Sequence, residues 1–310
     1  MGTMGDDRTA DAVFRLLSDE TRVDVLRAIA VAQHERQGFG AGPVGLSFSD
    51  VYDRVDVDST SKLSYHLGEL TGTFLRKGEH GYSFTHAGDR IARLVLSENY
   101  DQPPDFAPRE TDGTCLFCGE TPLEASLDQQ YFTVRCPSCE RAVSGYPVAP
   151  AQVRSHEGDD LLRSVEGTLA ADYRLIRRGT CPKCAGRLST DVRELEEGPL
   201  PDADPFVVVD SCEACLRRYS GPMTYGVAYH PASVAFHWDR GVDVTTKGMW
   251  EFHDHLREGR WTAERLSTGP AEYEVVLRHG DDALRVRLDA DATVTRTERV
   301  RATNVGNRRT

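Results

Sequence analysis

All eight cysteines of this chain fall in four C-x-x-C pairs, Cys115/Cys118, Cys136/Cys139, Cys181/Cys184 and Cys212/Cys215. Two residues between thiols let both sulfurs of a tight knuckle face one ion. Zinc takes four ligands in a tetrahedron and favours thiolate, so two pairs complete one site. Seventeen residues separate the first two pairs and 27 the second two, and both gaps suit zinc ribbons. The spacing predicts two structural Zn2+ ions per chain, one on the first four cysteines and one on the last four. A closed four-thiolate site contributes folding free energy to a small module. Redox switching, metal sensing and an iron–sulfur cluster are the other uses open to such cysteines. A thioredoxin-type enzyme does not fit, because it needs one C-x-x-C at a helix start in a βαβ setting.

The second knuckles belong to a longer repeat. Cys136-x-x-Cys139-x-Arg141-x-x-Ser144-Gly145 matches Cys212-x-x-Cys215-x-Arg217-x-x-Ser220-Gly221. Each follows a β-like run, YFTV (131–134) or FVVV (206–209). Further on, Pro150-Ala151-x-Val153-x-x-His156 is echoed by Pro231-Ala232-x-Val234-x-x-His237, and the offset grows from 76 to 81 residues. The unit is a ribbon followed by a helix starting at proline, duplicated, with an acidic Gly/Pro-rich insertion (196–205) in the second copy. Arg141, Arg217 and Arg218 could touch phosphate; a role in the fold, for example an arginine bonding ribbon carbonyls, is the preferred reading.

Stepping N-terminal from the cysteines, apolar residues recur with a helical period at Val13, Leu16, Leu17, Val23, Leu26, Ile29 and Ala30. Ser18 before Asp19 and Glu20 reads as an N-cap that opens a second helix. The Gly-rich stretch 38–45 breaks the pattern. A short helix follows over 46–55, capped by Ser47 or Ser49. Another runs over 59–70 with Leu63, Leu67 and Leu70 inward, so the pair forms a helix-turn-helix. Phe74–Lys77 and Tyr82–Thr85 read as a hairpin around Gly78–Gly81, and a last helix runs from about Ala87 to Glu98.

LLSDETRVDVLRAI, KLSYHLGEL and GYSFTHAGDRIA resemble the opening helix, recognition helix, and wing with closing helix of the ArsR-type winged-helix transcription regulators. The resemblance covers residues 10–100. It implies a dimer that places a helix in the DNA major groove, with Ser59, Thr60, Ser61, Lys62, Ser64, Tyr65 and His66 facing DNA and Arg76, Lys77 and His80 on the wing. The cysteine pair of the metal-sensing members is absent, as residues 1–100 contain no cysteine. Independently of the family, short hydroxyls, a lysine, a tyrosine and a histidine can donate to phosphates and base edges.

Charge qualifies this reading. Residues 1–100 hold 15 acids against 11 bases, whereas a DNA-binding domain is usually basic. The whole chain has a net charge of −12 and only four lysines (Lys62, Lys77, Lys183, Lys247) among 37 basic residues. An acidic, lysine-poor surface is what molar salt favours, and points to a halophilic archaeon. There the Debye length is about 3 Å, so short contacts rather than long-range attraction carry binding.

Between the ribbons, Leu161, Leu162, Val165, Leu169, Tyr173 and Ile176 share one helix face, which is core, a dimer face or the wall of a ligand pocket. After the second ribbon, ASVAFHWDRGVDV and TTKGMWEFHDHLREG read as two helices. His230, His237, His253 and His255 cluster there; a second metal or ligand site is one use of them, and surface or capping histidines is the preferred reading. EYEVVLR and ALRVRLD make a hairpin, with ATVTRTERV a possible third strand.

No apolar run reaches ~18 residues, so no membrane span is expected. The N-terminus lacks a basic region before an apolar one, which makes a cytoplasmic location the expectation. No Walker loop, G-x-S-x-G, H-E-x-x-H or dinucleotide fingerprint occurs, so an enzyme is not expected. The sequence thus predicts an α+β chain: an N-terminal winged helix-turn-helix with a β-hairpin wing over 1–105, zinc ribbon plus helix over 106–178, and a second ribbon with helices and a C-terminal β-hairpin over 179–310. The expected function is a DNA-binding regulator that binds double-stranded DNA as a homodimer, with residues 106–310 contacting an effector or protein partner. The alternative is an interaction or ligand- or redox-sensing protein that uses the winged helix for docking.

Overall fold

Helix starts in the first half are set by single side chains, along a computed structural model that describes residues 9–36, 45–196 and 203–301. The Gly-rich stretch 38–45 and the acidic segment 196–205 lie mostly outside the described residues, and the tail 304–310 lies wholly outside them. The chain divides into two units, Met1–Gln102 and Pro103–Thr310.

In the first unit, Thr9 caps α1 (Ala10–Arg15) by accepting from the Ala12 N–H. A 3-10 turn, Leu16–Ser18, leads to α2 (Glu20–Arg36). The expected cap at Ser18 is displaced by one residue. The Ser18 hydroxyl donates back to the Arg15 carbonyl inside the 3-10 turn, and Asp19 accepts from the Arg22 N–H at 3.2 Å instead. Ser47 and Asp50 form a capping box on α3 (Phe48–Tyr52), and Ser59 caps α4 (Thr60–Leu70). Strands β1 (Leu75–Gly78) and β2 (Gly81–Phe84) form an antiparallel hairpin, and Leu46 adds a one-residue bridge to Tyr82. That bridge requires glycine at 81: φ is +95°, and a Cβ would stand 2.0 Å from the Leu46 carbonyl oxygen. Thr85 caps α5 (His86–Ser97). Leu63, Leu67 and Leu70 of α4 close on Val25, Leu26 and Ile29 of α2 and on Phe74 and Phe84.

The second unit begins with a four-stranded antiparallel sheet, β3 (Arg109–Thr111), β4 (Leu123–Asp128), β5 (Tyr131–Arg135) and β6 (Ala142–Pro147), in sequence order. Helices α6 (Pro150–Ser155) and α7 (Asp159–Ile176) follow. A three-stranded sheet comes next, β7 (Leu188–Glu194), β8 (Phe206–Cys212) and β9 (Arg218–Pro222). Then come α8 (Met223–Ala228) and α9 (Pro231–Trp238). Helix α8 has no counterpart between β6 and α6, and this is where the repeat offset grows. The segment expected as one helix over 245–259 is broken: 3-10 turns at Val244–Thr246 and Met249–Phe252 precede α10 (His253–Arg257).

The C-terminal hairpin is half of a larger element. Strands β10 (Trp261–Thr268), β11 (Ala271–His279), β12 (Asp282–Leu288) and β13 (Val294–Arg301) form a four-stranded antiparallel meander. One buried cluster takes Phe132 and Val134 from the first ribbon, Phe206 and Val208 from the second, and Trp261, Val275 and Leu277 from the meander. Both cysteine-bearing segments therefore share a core. Among the described residues no helix is long and apolar enough to cross a membrane.

Candidate metal centres and nucleic-acid interface

The four knuckles share one backbone design. In each, the first cysteine's N–H donates to the carbonyl five residues on, and the N–H four residues on donates back to that cysteine's carbonyl. These bonds join Cys115 to Glu120 and Gly119, Cys136 to Arg141 and Glu140, Cys181 to Gly186 and Ala185, and Cys212 to Arg217 and Leu216, at 2.8–3.0 Å. The residue after each second cysteine must then turn left-handed: Gly119 at φ +85°, Glu140 at +58°, Ala185 at +59° and Leu216 at +60°. Three of the four carry a Cβ there, a conformation that costs about 1–2 kcal/mol and is held by the surrounding hydrogen bonds.

This turn aims both sulfurs of a knuckle to one side. The sulfurs of Cys115, Cys118, Cys136 and Cys139 lie within 4.8 Å of one another, as do those of Cys181, Cys184, Cys212 and Cys215. The spacing-based pairing of knuckles is thus the one the fold makes. Cys115 faces Cys139 at 3.6 Å and Cys118 faces Cys136 at 3.5 Å. In the second set Cys181 faces Cys215 at 3.7 Å and Cys184 faces Cys212 at 3.5 Å. A disulfide would need about 2.05 Å, and all eight thiols are free. Four sulfurs at a zinc–sulfur distance of about 2.3 Å stand about 3.8 Å apart, so both sets are compatible with a tetrahedral ion such as zinc. In the first set burial opposes ionisation of Cys115, but N–H groups of Cys118 and Phe117 outweigh it and bring the thiol down to about 7. Burial likewise opposes ionisation of Cys181, yet the Tyr219 hydroxyl and the Cys184 and Lys183 N–H groups lower it to about 6. Thiolate is the ligating form.

The repeated arginines take a different part from the one expected. Arg141 lies over the Phe117 ring, 4.8 Å from its centroid. Arg135 bonds a knuckle carbonyl, that of Glu140 at 2.9 Å, and Arg257 reaches the Leu116 carbonyl of the first knuckle at 3.4 Å. Arg135 stands one residue before its knuckle, outside the repeated motif, so the repeat did not single it out. Arg217 and Arg218 are exposed and make no ion pair among the described residues.

In the first unit, α4 buries Leu63, Leu67 and Leu70 and turns Thr60, Ser61, Lys62, Ser64 and Tyr65 to solvent. Ser59 is exposed and spends its hydroxyl on capping, accepting from the Lys62 N–H at 3.2 Å. The Lys62 ammonium reaches Asp58 at 3.1 Å. His66 departs from its expected place on this face. It is 4 % exposed, with Nδ1 3.6 Å from Asp19, because it follows Leu63 by three residues and shares the core stripe. On the hairpin Arg76, Lys77 and His80 are exposed, Arg76 donating to Ser83 at 3.0 Å and Lys77 resting over Tyr82.

The C-terminal histidines are not all at the surface. His230 does cap α9, accepting from the Ala232 N–H at 3.2 Å. His237 and His253 are buried, and burial pushes His253 down to about 4. His237 and His255 flank Trp261, with ring centroids 5.5 and 4.7 Å away. The pair is 18 residues apart in sequence and meets only because β10 passes beneath both.

An α+β chain with two tetracysteine centres is the class these observations define. Residues 112–294 match the family described as a domain of unknown function, DUF7351, and the chain belongs to that family. Residues 10–95 match a second domain of unknown function, DUF7347. One match falls in each unit, and the first spans both cysteine sets. No curated protein and no solved structure matches the chain.

Proposed function

We propose that this chain is a DNA-binding transcription regulator in which residues 10–97 form a winged helix-turn-helix and the two tetracysteine centres hold structural zinc. The observation that carries the reading is the outward face of α4. It is a helix whose other side is core, presenting Thr60, Ser61, Lys62, Ser64 and Tyr65 beside a hairpin that presents Arg76, Lys77 and His80. Such a helix enters a major groove while the hairpin touches the flanking phosphates. The Lys62–Asp58 pair is exposed, worth at most about 1 kcal/mol, and exchanges readily for a phosphate. His66 does not read bases; it fixes α4 against α2. A second copy of the chain covers the apolar side chains that the first unit leaves exposed, Phe14, Leu94, Leu96 and Tyr100. The all-thiolate donor set and the sulfur separations support zinc as the ion.

Band shifts with DNA upstream of the chain's own gene, in molar KCl, test the reading. The expected result is a salt-tolerant shift that Tyr65→Ala and Lys62→Ala each weaken about tenfold, with the helical content unchanged. Absence of any shift, or shifts indifferent to both substitutions, overturns it.

A further inference from the structure

The first tetracysteine sheet ends on the edge strand β6 and the second on the edge strand β9. A cleft of about 330 Å³ lies between these edges and α7. That size suits a small molecule. The repeated Ser-Gly of each copy shapes its walls. A Cβ on Gly145 would stand 2.7 Å from the Tyr131 ring, and one on Gly221 would stand 2.6 Å from the Tyr173 hydroxyl. Glycine at both positions lets a tyrosine close down on the edge strand. Tyr146, Tyr219 and Trp250 complete an aromatic lining.

Three groups in this cleft have chemistry that the fold leaves unused. Tyr225 lines it, is 5 % exposed, and its hydroxyl is buried with no hydrogen-bond partner among the described residues. Such an orphan costs about 1–3 kcal/mol and needs a reason. Arg217 and Arg218 also line the cleft, and neither meets a carboxylate among the described residues. The one acid in the lining, Asp172, is already engaged by the Tyr146 hydroxyl and by Lys183 at 3.2 Å. The cleft therefore combines aromatic faces, an unpartnered hydroxyl buried in its wall and two arginines with no carboxylate partner among the described residues, on a chain whose net charge is −12.

We propose that this cleft binds a small planar aromatic molecule carrying a carboxylate or phosphate, its ring among the tyrosines, its anion on Arg217 and Arg218, and an acceptor atom on the Tyr225 hydroxyl. Guanidinium groups pair bidentately with either anion, and flat rings gain from offset or edge contacts with aromatic walls. The proposal rests on the cleft alone and does not depend on the DNA reading of residues 10–97.

Calorimetric titration of the full-length, metal-loaded protein tests it with five probes. 4-Hydroxybenzoate and indole-3-acetate represent aromatic carboxylates, and adenosine monophosphate an aromatic phosphate. Cyclohexanecarboxylate keeps the anion without the flat ring, and benzyl alcohol the ring without the anion. The expected result is saturable 1:1 binding of at least one aromatic anion with Kd below about 1 mM, and at least about tenfold weaker binding of both controls. Which aromatic anion wins separates a carboxylate source from a nucleotide. Tyr225→Phe removes a hydroxyl that holds nothing in the fold, so the variant should keep its melting temperature and two metal ions while binding weakens about tenfold. The double variant Arg217→Gln/Arg218→Gln should weaken binding at least as much. No saturable binding of any aromatic anion, equal binding of the controls, or affinity unchanged in both variants would overturn the proposal.

Discussion

Cys212 closes β8 and donates its backbone N–H to its own knuckle as well as its sulfur to the second set. Replacing it by serine leaves the backbone bond possible and removes one of four ligands. Cys212→Ser is therefore expected to bind one metal ion per chain where the parent binds two, as counted by elemental mass spectrometry, with the first set still filled. Glu166, on the buried side of α7, makes a second case. Burial, reinforced by the nearby Glu251, pushes its carboxyl from the ordinary 4.5 up to about 7. The folded chain thus holds this proton longer than the unfolded one. Its share of stability is greatest below 4.5 and is lost as pH rises through about 7. Glu166→Gln has no such loss, so its advantage over the parent in urea unfolding should grow between about pH 5 and about pH 7. If the difference is flat across that range, the carboxyl is not being held protonated by the fold.

At the scale of elements, α4 separates two kinds of residue that sit side by side in the sequence. Leu67 is fully buried and Tyr65 is 58 % exposed. Leu67→Ala should cost about 2–5 kcal/mol in denaturant unfolding of the first unit, whereas Tyr65→Ala should leave that transition in place within about 0.5 kcal/mol. Equal effects would mean that the outward face of α4 is covered by something. The helical period made α2, α4 and α5 readable before any coordinates, and the C-x-x-C spacing made both metal centres readable residue by residue. His66 escaped because a polar residue on a short amphipathic helix is assigned outward by habit, while its position relative to Leu63 and Leu70 placed it inward. Strand β10 escaped for a different reason. Only Trp261 and Ala263 alternate clearly inward, and the run Glu264–Arg265 looks like loop until Glu264 is paired with Glu274 across the ladder. Residues that belong to the cleft come from the first knuckle, β5, β6, α7, β9, α8 and the segment 249–253, so no sequence window contains them.

For the whole molecule, the division of labour between the units gives a clean observable. All three tryptophans, Trp238, Trp250 and Trp261, and all eight cysteines lie in the second unit. Removing metal with a chelator should therefore red-shift tryptophan emission as the shared core loosens, because a structural tetrathiolate site carries folding free energy. The helices of the first unit, which own no thiol, should keep their far-ultraviolet signal under the same treatment. Loss of both signals together would show that the first unit depends on the second for its fold.

The first ribbon is completed late in the chain. Trp250 donates to Thr111, and His253 bonds the Thr114 carbonyl at 3.1 Å across 139 residues of sequence. A ribosome adding about 5–20 residues per second needs roughly 7–30 s to supply those partners. Until then the Phe132 side chain has no Trp250 to cover it. The nascent chain thus makes its first sheet, whose ladder closes at Pro147, well before the tryptophan that covers it.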